Sequence, residues 1–322
     1  MQVLHDAGPL PDLAKGTAVT IGAFDGVHIG HAALVDETRR RAAELGCPSV
    51  LVTTDRHPAT VVRPASAPPL LADETQKFEL LAATGVDYVF VVHFDGERSL
   101  EGSEEFVREV LVDKLHARVV VVGEDFHFGH RRKGDVALLQ ELGGECGFEV
   151  IGLPLVGLAG LEGPVSSTRA RIALASGDVE LAQRLLGRLP EIHGVVEHGD
   201  HRGRTIGFPT ANVAVPGDIL LPIDGVYAGW YQRASASGDP EFHPSAINIG
   251  RRPTFYEESG LLLVEAHLID FDGDLYGEQA RVRIAARLRG EVRFDGIDAL
   301  KQQLVIDVEH TRAICAARQP GQ

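Results

Sequence analysis

The most constraining feature of the sequence is a series of short apolar segments that alternate with helical patterns through its first half. Continuous runs such as Val119–Val122 are typical of strands covered on both faces, as in a parallel sheet. The strand-like segments are Thr17–Ile21, Ser49–Thr53, Tyr88–Val92, Arg118–Val122 and Phe148–Leu153. The helical patterns are Ala32–Leu45, Glu74–Ala83, Ser103–Leu115 and Asp135–Leu142. This alternation predicts an α/β domain built on a doubly wound parallel sheet.

A glycine-rich turn follows the first predicted strand. Residues 20–31 read Thr-Ile-Gly-Ala-Phe-Asp-Gly-Val-His-Ile-Gly-His, and a helical pattern continues from Ala32. Backbone N–H groups in such a turn, together with the helix N-terminus, can approach an anion closely. His28 and His31 are three residues apart, so both can face the same side of the first helical turn. Ligands of doubly wound sheets bind at the carboxyl ends of strands, which is where this turn lies.

Two further segments could converge on the same edge. The first is residues 123–135, which follow the Val-rich strand and contain Asp125 and the cluster Arg131, Arg132 and Lys133. The second is residues 165–171, where hydroxyls and Arg169 open a predicted helix. Each has a simpler interpretation, since Ser167 or Thr168 could be only an N-cap and the basic cluster only a solvated surface. Their joint occurrence favours a site for nucleotidyl or phosphoryl transfer.

The proline-rich stretch 56–72 interrupts the alternation. It is either a plain surface loop or an active-site flap, because it follows the carboxyl end of a strand. The residues alone leave both interpretations open.

The pattern changes near Gly187–Pro190, after helical patterns at Arg169–Ala175 and Val179–Leu186. Short strand-like runs separated by Gly, Pro and Asp predict a small antiparallel barrel or sandwich, and an amphipathic helix with Ile297 and Leu300 follows. We therefore expect domains at 1–186 and 187–322. The predicted strands are Ile192–Glu197, Val226–Tyr231, Ala246–Ile249, Leu261–Ile269 and Ala280–Leu288. Asp270, Asp272 and Asp274 lack the glycine and the final glutamate of a calcium loop, so they are interpreted as a hairpin turn.

Composition narrows the function classes. Across 322 residues the formal net charge is −15, which argues against a nucleic-acid partner. The three cysteines show no metal-type spacing, and Asp6, Pro9 and Pro11 interrupt any secretory apolar segment. No apolar stretch is long enough to span a bilayer, so a cytoplasmic protein without a membrane partner is expected. The oligomeric state stays open, including a homo-oligomer.

The motifs of the first domain resemble the adenylylating half of the bacterial bifunctional riboflavin kinase/FMN adenylyltransferase (FAD synthetase) family. The matching patterns are Gly-x-Phe-Asp-Gly-x-His-x-Gly-His, Gly-x-Asp-Phe-x-Phe-Gly and Ser-Ser-Thr-x-x-Arg, in the family's order. Residues 28–31 also match the motif of class I aminoacyl-tRNA synthetases, but a Lys-Met-Ser-Lys-Ser type loop is absent, since Met1 is the only methionine. The family segment Thr-Phe-Asp-Pro-His-Pro is changed at Thr54 and Arg56, which puts the local loop shape and an aromatic contact in question.

The second domain is similar to riboflavin kinases. Residues 199–212 look like their Gly-rich loop and Pro-Thr-Ala-Asn motif, and residues 248–255, 264–267 and 275–277 match further family segments. On alternation alone Glu265 would be an ordinary outward strand residue, so its role as a base depends on the resemblance. Hard oxygen ligands at Thr210 and Asn212 suit Mg²⁺.

The resemblance implies that the second domain phosphorylates riboflavin to FMN and the first adenylylates FMN to FAD, with ATP, riboflavin and FMN as substrates and Mg²⁺ as the metal. The implied catalytic residues are His28, His31 and Glu265. The implied adenylyltransferase nucleotide site comprises Gly22, Phe24, Asp25, Gly26, Asp125, Ser167, Thr168 and Arg169, with Asp55 and His57 as flavin-loop candidates. The implied kinase nucleotide site comprises Gly203, Arg204, Gly207 and Phe208, with Thr210 and Asn212 at the metal.

Three alternatives stay open. One is a kinase-active protein with weakened adenylylation, given the changes at Thr54 and Arg56. Another is a catalytically silent flavin-binding regulator. The third is a nucleotidyltransferase for another phosphate substrate, which would leave the second domain's motifs unexplained.

Overall fold

A computed structural model describes residues 1–199, 202–234, 239–250 and 261–320. The chain forms two compact units, which we describe separately. The first consists of Met1–Leu70 and Glu74–Ser166, and the second consists of Leu71–Asp73 and Ser167–Gln322. Within the described residues, no helix has the length and apolar character needed to cross a membrane.

The first unit is built on a parallel sheet whose order is β1-β4-β3-β2-β5-β6, and every neighbouring pair is parallel. The predicted strands are confirmed to within a few residues, but the prediction omitted β1 because only Val3 and Leu4 in that segment are apolar. The strands are β1 Gln2–His5, β2 Thr17–Ile21, β3 Ser49–Thr54, β4 Tyr88–Val92, β5 Ala117–Gly123 and β6 Glu149–Leu153.

Helices cover both faces of this sheet. In β5, Val120 and Val122 pack into one apolar cluster while Val119 and Val121 pack into another, which explains the continuous apolar run of this strand. The helices of this unit are α1 Ile29–Leu45, α2 Pro58–Val62, α3 Glu74–Ala83, α4 Ser103–Phe106 and α5 Val136–Cys146. The chain continues from α4 as a π-helical segment, Val107–Lys114.

The strand order creates a switch point between β2 and β5. The chain moves from β2 to β3 and β4 on one side of the sheet, then returns to place β5 directly against β2. At such a point the connections leave the carboxyl ends of two neighbouring strands in opposite directions and open a crevice. The turn that carries His28 follows β2, and residues 124–135 follow β5.

The proline-rich segment contains two short helical stretches, and the choice between a surface loop and an active-site flap stays open. Residues 58–62 form α2, and Pro64–Ser66 form a 3₁₀ turn. Pro58 occupies the first helical turn, where its missing N–H is harmless.

The second unit begins with helices α6 Ser167–Ser176 and α7 Val179–Leu186 and continues as an antiparallel barrel. Six strands of its described part close in the order β10-β11-β8-β7-β12-β9. The strands are β7 Glu191–Glu197, β8 Ala211–Pro216, β9 Gly225–Ala234, β10 Pro240–Ile249, β11 Leu261–Leu268 and β12 Gln279–Arg289. Helix α8 is Arg202–Ile206, and α9 is Ile297–Ala316. The predicted barrel and terminal helix are confirmed, but β8 was missed.

The interpretation of residues 270–274 as a hairpin turn is wrong. Strand β11 pairs with β10 and β8, whereas β12 pairs with β7 and β9, so this connection joins strands that lie apart in the barrel. Asp270 adopts φ 58° and its carboxylate accepts from Arg312 of α9 at 2.6 Å. The segment is therefore tied to the terminal helix.

Candidate functional site

The turn after β2 has an unusual backbone. Phe24, Gly26 and Val27 have φ of 50°, 73° and 37°, and the Gly22 N–H donates to the Val52 carbonyl at 3.0 Å. A left-handed conformation is unfavourable for a bulky residue and for a β-branched one, so the surrounding packing must hold it. Phe24 is fully buried and Asp25 is 6% exposed. This part of the turn is therefore held by its packing in the protein interior.

The two histidines lie together at the start of α1. Their rings stack with centroids 3.6 Å apart and planes 13° from parallel. His28 is the N-cap of α1, and its Nδ1 accepts from the His31 N–H at 3.2 Å. A neutral His28 therefore carries its ring proton on Nε2, which makes Nε2 a hydrogen-bond donor. The expectation that both rings face one side of the helix is confirmed.

Gly30 makes room for the His28 ring. A Cβ at this position would lie 3.1 Å from both Cε1 and Nδ1 of His28 and 3.8 Å from the Val165 carbonyl oxygen. The glycine of His-x-Gly-His thus permits the imidazole to cap the helix.

Asp125 lies just beyond the end of β5 and is exposed. Its Oδ1 is 3.1 Å from the position that a Cβ on Gly123 would occupy. Behind it, Phe126 and Phe128 stack with centroids 5.5 Å apart, and Phe128 is buried. The aromatic pair anchors the loop, and the carboxylate stays accessible.

Ser167, Thr168 and Arg169 form the first turn of α6 and belong to the second unit. Ser167 and Arg169 are half-buried, while Thr168 is exposed. Their convergence with the histidines remains a prediction.

Asp55 holds the ends of β3 and β4 together. Its carboxylate lies 2.7 Å from His93 Nδ1 and accepts from the Phe94 N–H at 3.0 Å and from Arg56 at 3.1 Å. Burial opposes ionisation, but these hydrogen bonds outweigh burial and lower the pKa of Asp55. Arg56, which departs from the family pattern, therefore has a local role as a partner of Asp55.

His57 is the N-cap of α2, and its Nδ1 accepts from the Ala59 N–H at 3.1 Å. Thr54, the other departure, donates to the Arg56 carbonyl at 2.7 Å. The loop after β3 is thus shaped by side-chain hydrogen bonds.

Lys77 is a residue that the sequence analysis missed. Its Nζ donates to Thr53 Oγ1 at 2.8 Å and to the Thr54 carbonyl at 3.3 Å, at the carboxyl end of β3. Burial lowers its pKa from 10.5 to about 8, and the carboxylates of Asp25, Glu74 and Asp55 oppose the shift. In the sequence Lys77 is an ordinary lysine in a helical pattern, and nothing around it indicates that it contacts the end of β3.

Thr210 directly precedes β8, and Asn212 is the second residue of that strand. Asn212 is buried, and its amide lies against Gly199, where a Cβ would be 1.9 Å from Nδ2. The backbone before them is tightly closed. The Phe208 N–H donates to the Gly203 carbonyl at 2.9 Å, and a Cβ on Gly203 would be 2.3 Å from the Phe208 oxygen.

The remaining residues of this loop complete its shape. Gly207 has φ 89°, a value that favours glycine, and Arg204 is exposed. The Phe208 ring meets His267 edge-on with centroids 5.4 Å apart. Asp200, His201 and residues 251–255, which the resemblance included, lie outside the described residues.

A row of polar residues crosses four barrel strands on one face. Glu265 of β11 is directly opposite Asn212 of β8 on one side and Asn248 of β10 on the other, and Glu197 of β7 is opposite Asn212. Residues directly opposite each other in antiparallel strands lie on the same face. Asn248 Nδ2 donates to Glu265 Oε2 at 3.2 Å. The sequence analysis included Asn248 in a family segment but gave it no role.

Two oxygen donors, one just before β8 and one within it, fit Mg²⁺ by their chemistry. Across the described ranges there is no cluster of three or more His, Cys, Asp or Glu side chains arranged for a metal. A magnesium ion needs few protein ligands, because substrate phosphates and water complete its shell. The hydroxyl of Thr210 and the amide oxygen of Asn212 are hard oxygen donors of the required type.

Comparison with known proteins identifies the family of the chain. The family model described as FAD synthetase matches residues 10–169, and the one described as riboflavin kinase matches residues 186–315. A bifunctional riboflavin kinase/FMN adenylyltransferase from Pseudomonas fluorescens is 40% identical over 316 residues, covering 98% of each chain. The protein of that name from Escherichia coli strain K12 is 36% identical over 319 residues, covering 99% of this chain and 98% of the relative. The chain belongs to this bifunctional family.

A solved structure agrees with the fold over the same length. A protein from Streptococcus pneumoniae described as a macrolide-efflux protein is 29% identical, with TM-score 0.83, and the match covers 96% of this chain and 98% of that one. The two candidate sites of this chain lie in the stretches matched by two different family models. The histidine turn lies in the FAD synthetase match, and both Thr210 and the polar row with Asn212 and Glu265 lie in the riboflavin kinase match.

Proposed function

We propose that this chain catalyses two successive reactions, the phosphorylation of riboflavin to FMN and the adenylylation of FMN to FAD. The observation that carries the proposal is the full-length match to bifunctional relatives in a chain that holds a separate polar site in each matched half. ATP, riboflavin and FMN are then its small-molecule substrates.

In the kinase reaction, Glu265 takes the proton of the primary alcohol of riboflavin. The alcohol oxygen then forms a bond to the γ-phosphorus of ATP, and the bond to the β-phosphate oxygen breaks to release ADP. Asn248 holds the Glu265 carboxylate through its amide hydrogen bond. Thr210 and Asn212 would hold Mg²⁺, which neutralises phosphate charge when bound. Gly203, Arg204, Gly207 and Phe208 shape the loop over the nucleotide.

In the adenylyl transfer, a phosphate oxygen of FMN attacks the α-phosphorus of ATP, and pyrophosphate leaves. No strong base is needed, because a phosphate monoester is already anionic near neutral pH. Nε2 of His28 and the ring of His31 would donate to the phosphate oxygens as charge develops, supported by the N-terminus of α1.

The remaining candidates have supporting roles in this proposal. Gly22, Phe24, Asp25 and Gly26 set the shape of the turn, and Asp125 would position the nucleotide. Ser167, Thr168 and Arg169 would bind the β- and γ-phosphates. Asp55 and His57 stiffen the loop assigned to the flavin. Because Asp55 keeps its hydrogen bonds despite Thr54 and Arg56, we favour an intact adenylyltransferase over a weakened one.

We also propose domain limits of 1–186 and 187–322. The proposed location is the cytoplasm, and no nucleic-acid partner is proposed. The negative net charge supports the last point, and the free cysteines Cys47, Cys146 and Cys315 support a reducing compartment.

The test is a matched pair of variants assayed with riboflavin, ATP and Mg²⁺, followed by chromatographic separation of FMN and FAD. We expect His28→Ala to abolish FAD formation while FMN still accumulates. Glu265→Ala should abolish FMN formation from riboflavin but still convert supplied FMN to FAD. If both variants lose the same activity, the assignment of one reaction to each half is wrong.

A further inference from the structure

The cation Lys77 lies at the edge of the sheet where the histidine turn begins, and none of the roles assigned above uses it. It extends from α3 to the carboxyl end of β3, where its Nζ donates to Thr53 Oγ1 at 2.8 Å and to the Thr54 carbonyl at 3.3 Å. Most lysines keep the ammonium in water, because removing the charge from solvent is costly. A lysine held inward at this edge therefore requires a reason.

Thr53 links this cation to the turn that carries the histidines. Its hydroxyl accepts from Lys77 and donates to the Ala23 carbonyl at 3.2 Å. Ala23 precedes Phe24, the first residue of the turn in the left-handed region. One hydrogen-bonded chain thus runs from the ammonium through β3 to the backbone that leads to His28.

The charged groups that act on Lys77 come from three elements. Asp25 belongs to the turn itself, Asp55 begins the loop after β3, and Glu74 lies on α3. Asp55 is also bound by Arg56 and His93. Asp25 is buried within the turn, close to where anionic phosphates would have to bind. A positive charge beside it reduces the repulsion that an approaching phosphate would meet.

We propose that Lys77 is a positioning residue for adenylylation, which fixes the turn through Thr53 and offsets the charge of Asp25 so that the turn accepts phosphate anions. The inference rests on the proposed adenylyltransferase function of the first unit. It concerns the turn and not the barrel site, so it predicts an effect on FMN adenylylation and not on riboflavin phosphorylation.

Only the ammonium form of Lys77 has the proposed effect, so the rate of adenylylation should depend on pH in a specific way. Burial lowers the pKa of Lys77 to about 8, so the group is charged below that pH and loses its proton above it. Adenylylation should therefore decline on the alkaline side through about pH 8. An arginine at this position stays charged over the same range and should move the decline to higher pH.

The experiment compares the wild-type chain with Lys77→Arg, Lys77→Met and Thr53→Val, using FMN, ATP and Mg²⁺ between about pH 6.5 and 9.5. Lys15→Met, at an exposed lysine of the same unit, is the matched control. The riboflavin kinase reaction in each preparation reports that the chain is folded.

We expect Lys77→Met to lower kcat/KM for FMN adenylylation at least about tenfold, with kinase activity retained. Lys77→Arg should keep most of the neutral-pH activity and lose the decline near pH 8. Thr53→Val should reduce adenylylation but keep the decline, because Lys77 still titrates.

The proposal is overturned if the wild-type decline is absent near pH 8, or if it persists unchanged in Lys77→Arg. Should Lys77→Met fail to fold, the arginine variant alone still decides. A wild-type chain that makes no FAD from FMN would contradict the proposed function instead. A wild-type chain that makes FAD, with Lys77→Met equally active, would contradict only the role of Lys77.

Discussion

Asn248 Nδ2 donates a hydrogen bond to Glu265 Oε2 at 3.2 Å, from a position directly opposite it on the neighbouring strand. The amide therefore sets the direction of the carboxylate that we assign as the base for the alcohol of riboflavin. On the other side of Glu265, Asn212 lies in register at the proposed magnesium position. A substitution of either amide can therefore disturb the orientation of this base while Glu265 itself is unchanged.

The first prediction follows from this contact. Asn248→Ala should lower kcat of the riboflavin kinase reaction about tenfold, because the carboxylate is still present but less well oriented. The KM for ATP should change little, since the Gly203–Phe208 loop is unaltered. Steady-state kinetics with riboflavin will measure the two constants separately, and FMN adenylylation in the same preparation is the control. An unchanged kinase kcat would show that the hydrogen bond does not orient Glu265.

Much of the fold was predictable because its signal is local and periodic. The continuous apolar run of β5 indicated a strand with two covered faces, and Val119–Val122 indeed divide between two clusters. The same reasoning failed at β8, where Ala211–Pro216 follows a glycine-rich loop and gives a short strand without alternation. It also failed at residues 270–274, because strand pairing in a closed barrel depends on distant partners that turn residues do not specify.

Some residues of the candidate sites could likewise be predicted from the sequence, and others could not. His28 and His31 were predictable from their spacing, because three residues on a helix bring two rings to one side. Lys77 and Asn248 were not, since each acquires its role through a contact with another strand or turn. The contact of Lys77 with Thr53 spans 24 positions in the chain, and that of Asn248 with Glu265 spans 17. Only the tertiary structure brings these pairs together.

A second prediction concerns the stability of the barrel unit at low pH. Glu191 lies 2.7 Å from His193 Nε2 and accepts from Arg283 Nε at 2.6 Å. Burial of this carboxylate opposes ionisation, but the two donors outweigh burial and lower the pKa of Glu191 from 4.5 to about 2. The resulting stabilisation is fully present above about pH 4.5 and is lost as the pH falls towards 2.

Glu191→Gln should therefore lower the free energy of unfolding by about 2 kcal/mol at neutral pH. The difference from wild type should shrink as the pH is lowered below about 4.5. Urea denaturation at a series of pH values measures both quantities, and Glu241→Gln, at an exposed carboxylate, provides the control. A difference that stays constant with pH would mean that the ionised carboxylate is not what stabilises this unit.

The third prediction tests the space that Gly30 leaves for His28. Gly30→Ala would place a Cβ 3.1 Å from the His28 ring, so the imidazole must shift by a few tenths of an ångström within its cap and its stack with His31. FMN adenylylation should fall about threefold to tenfold, because even a small shift of the ring misplaces a donor to the phosphate. Alanine is a better helix former than glycine, so α1 itself should not be weakened. Gly96→Ala is the matched control, since a Cβ there meets no heavy atom within 4 Å. Steady-state rates of both reactions distinguish the outcomes: adenylylation equal to that of Gly96→Ala would show that the His28 position does not limit the transfer, and a matching loss of kinase activity would indicate a global defect.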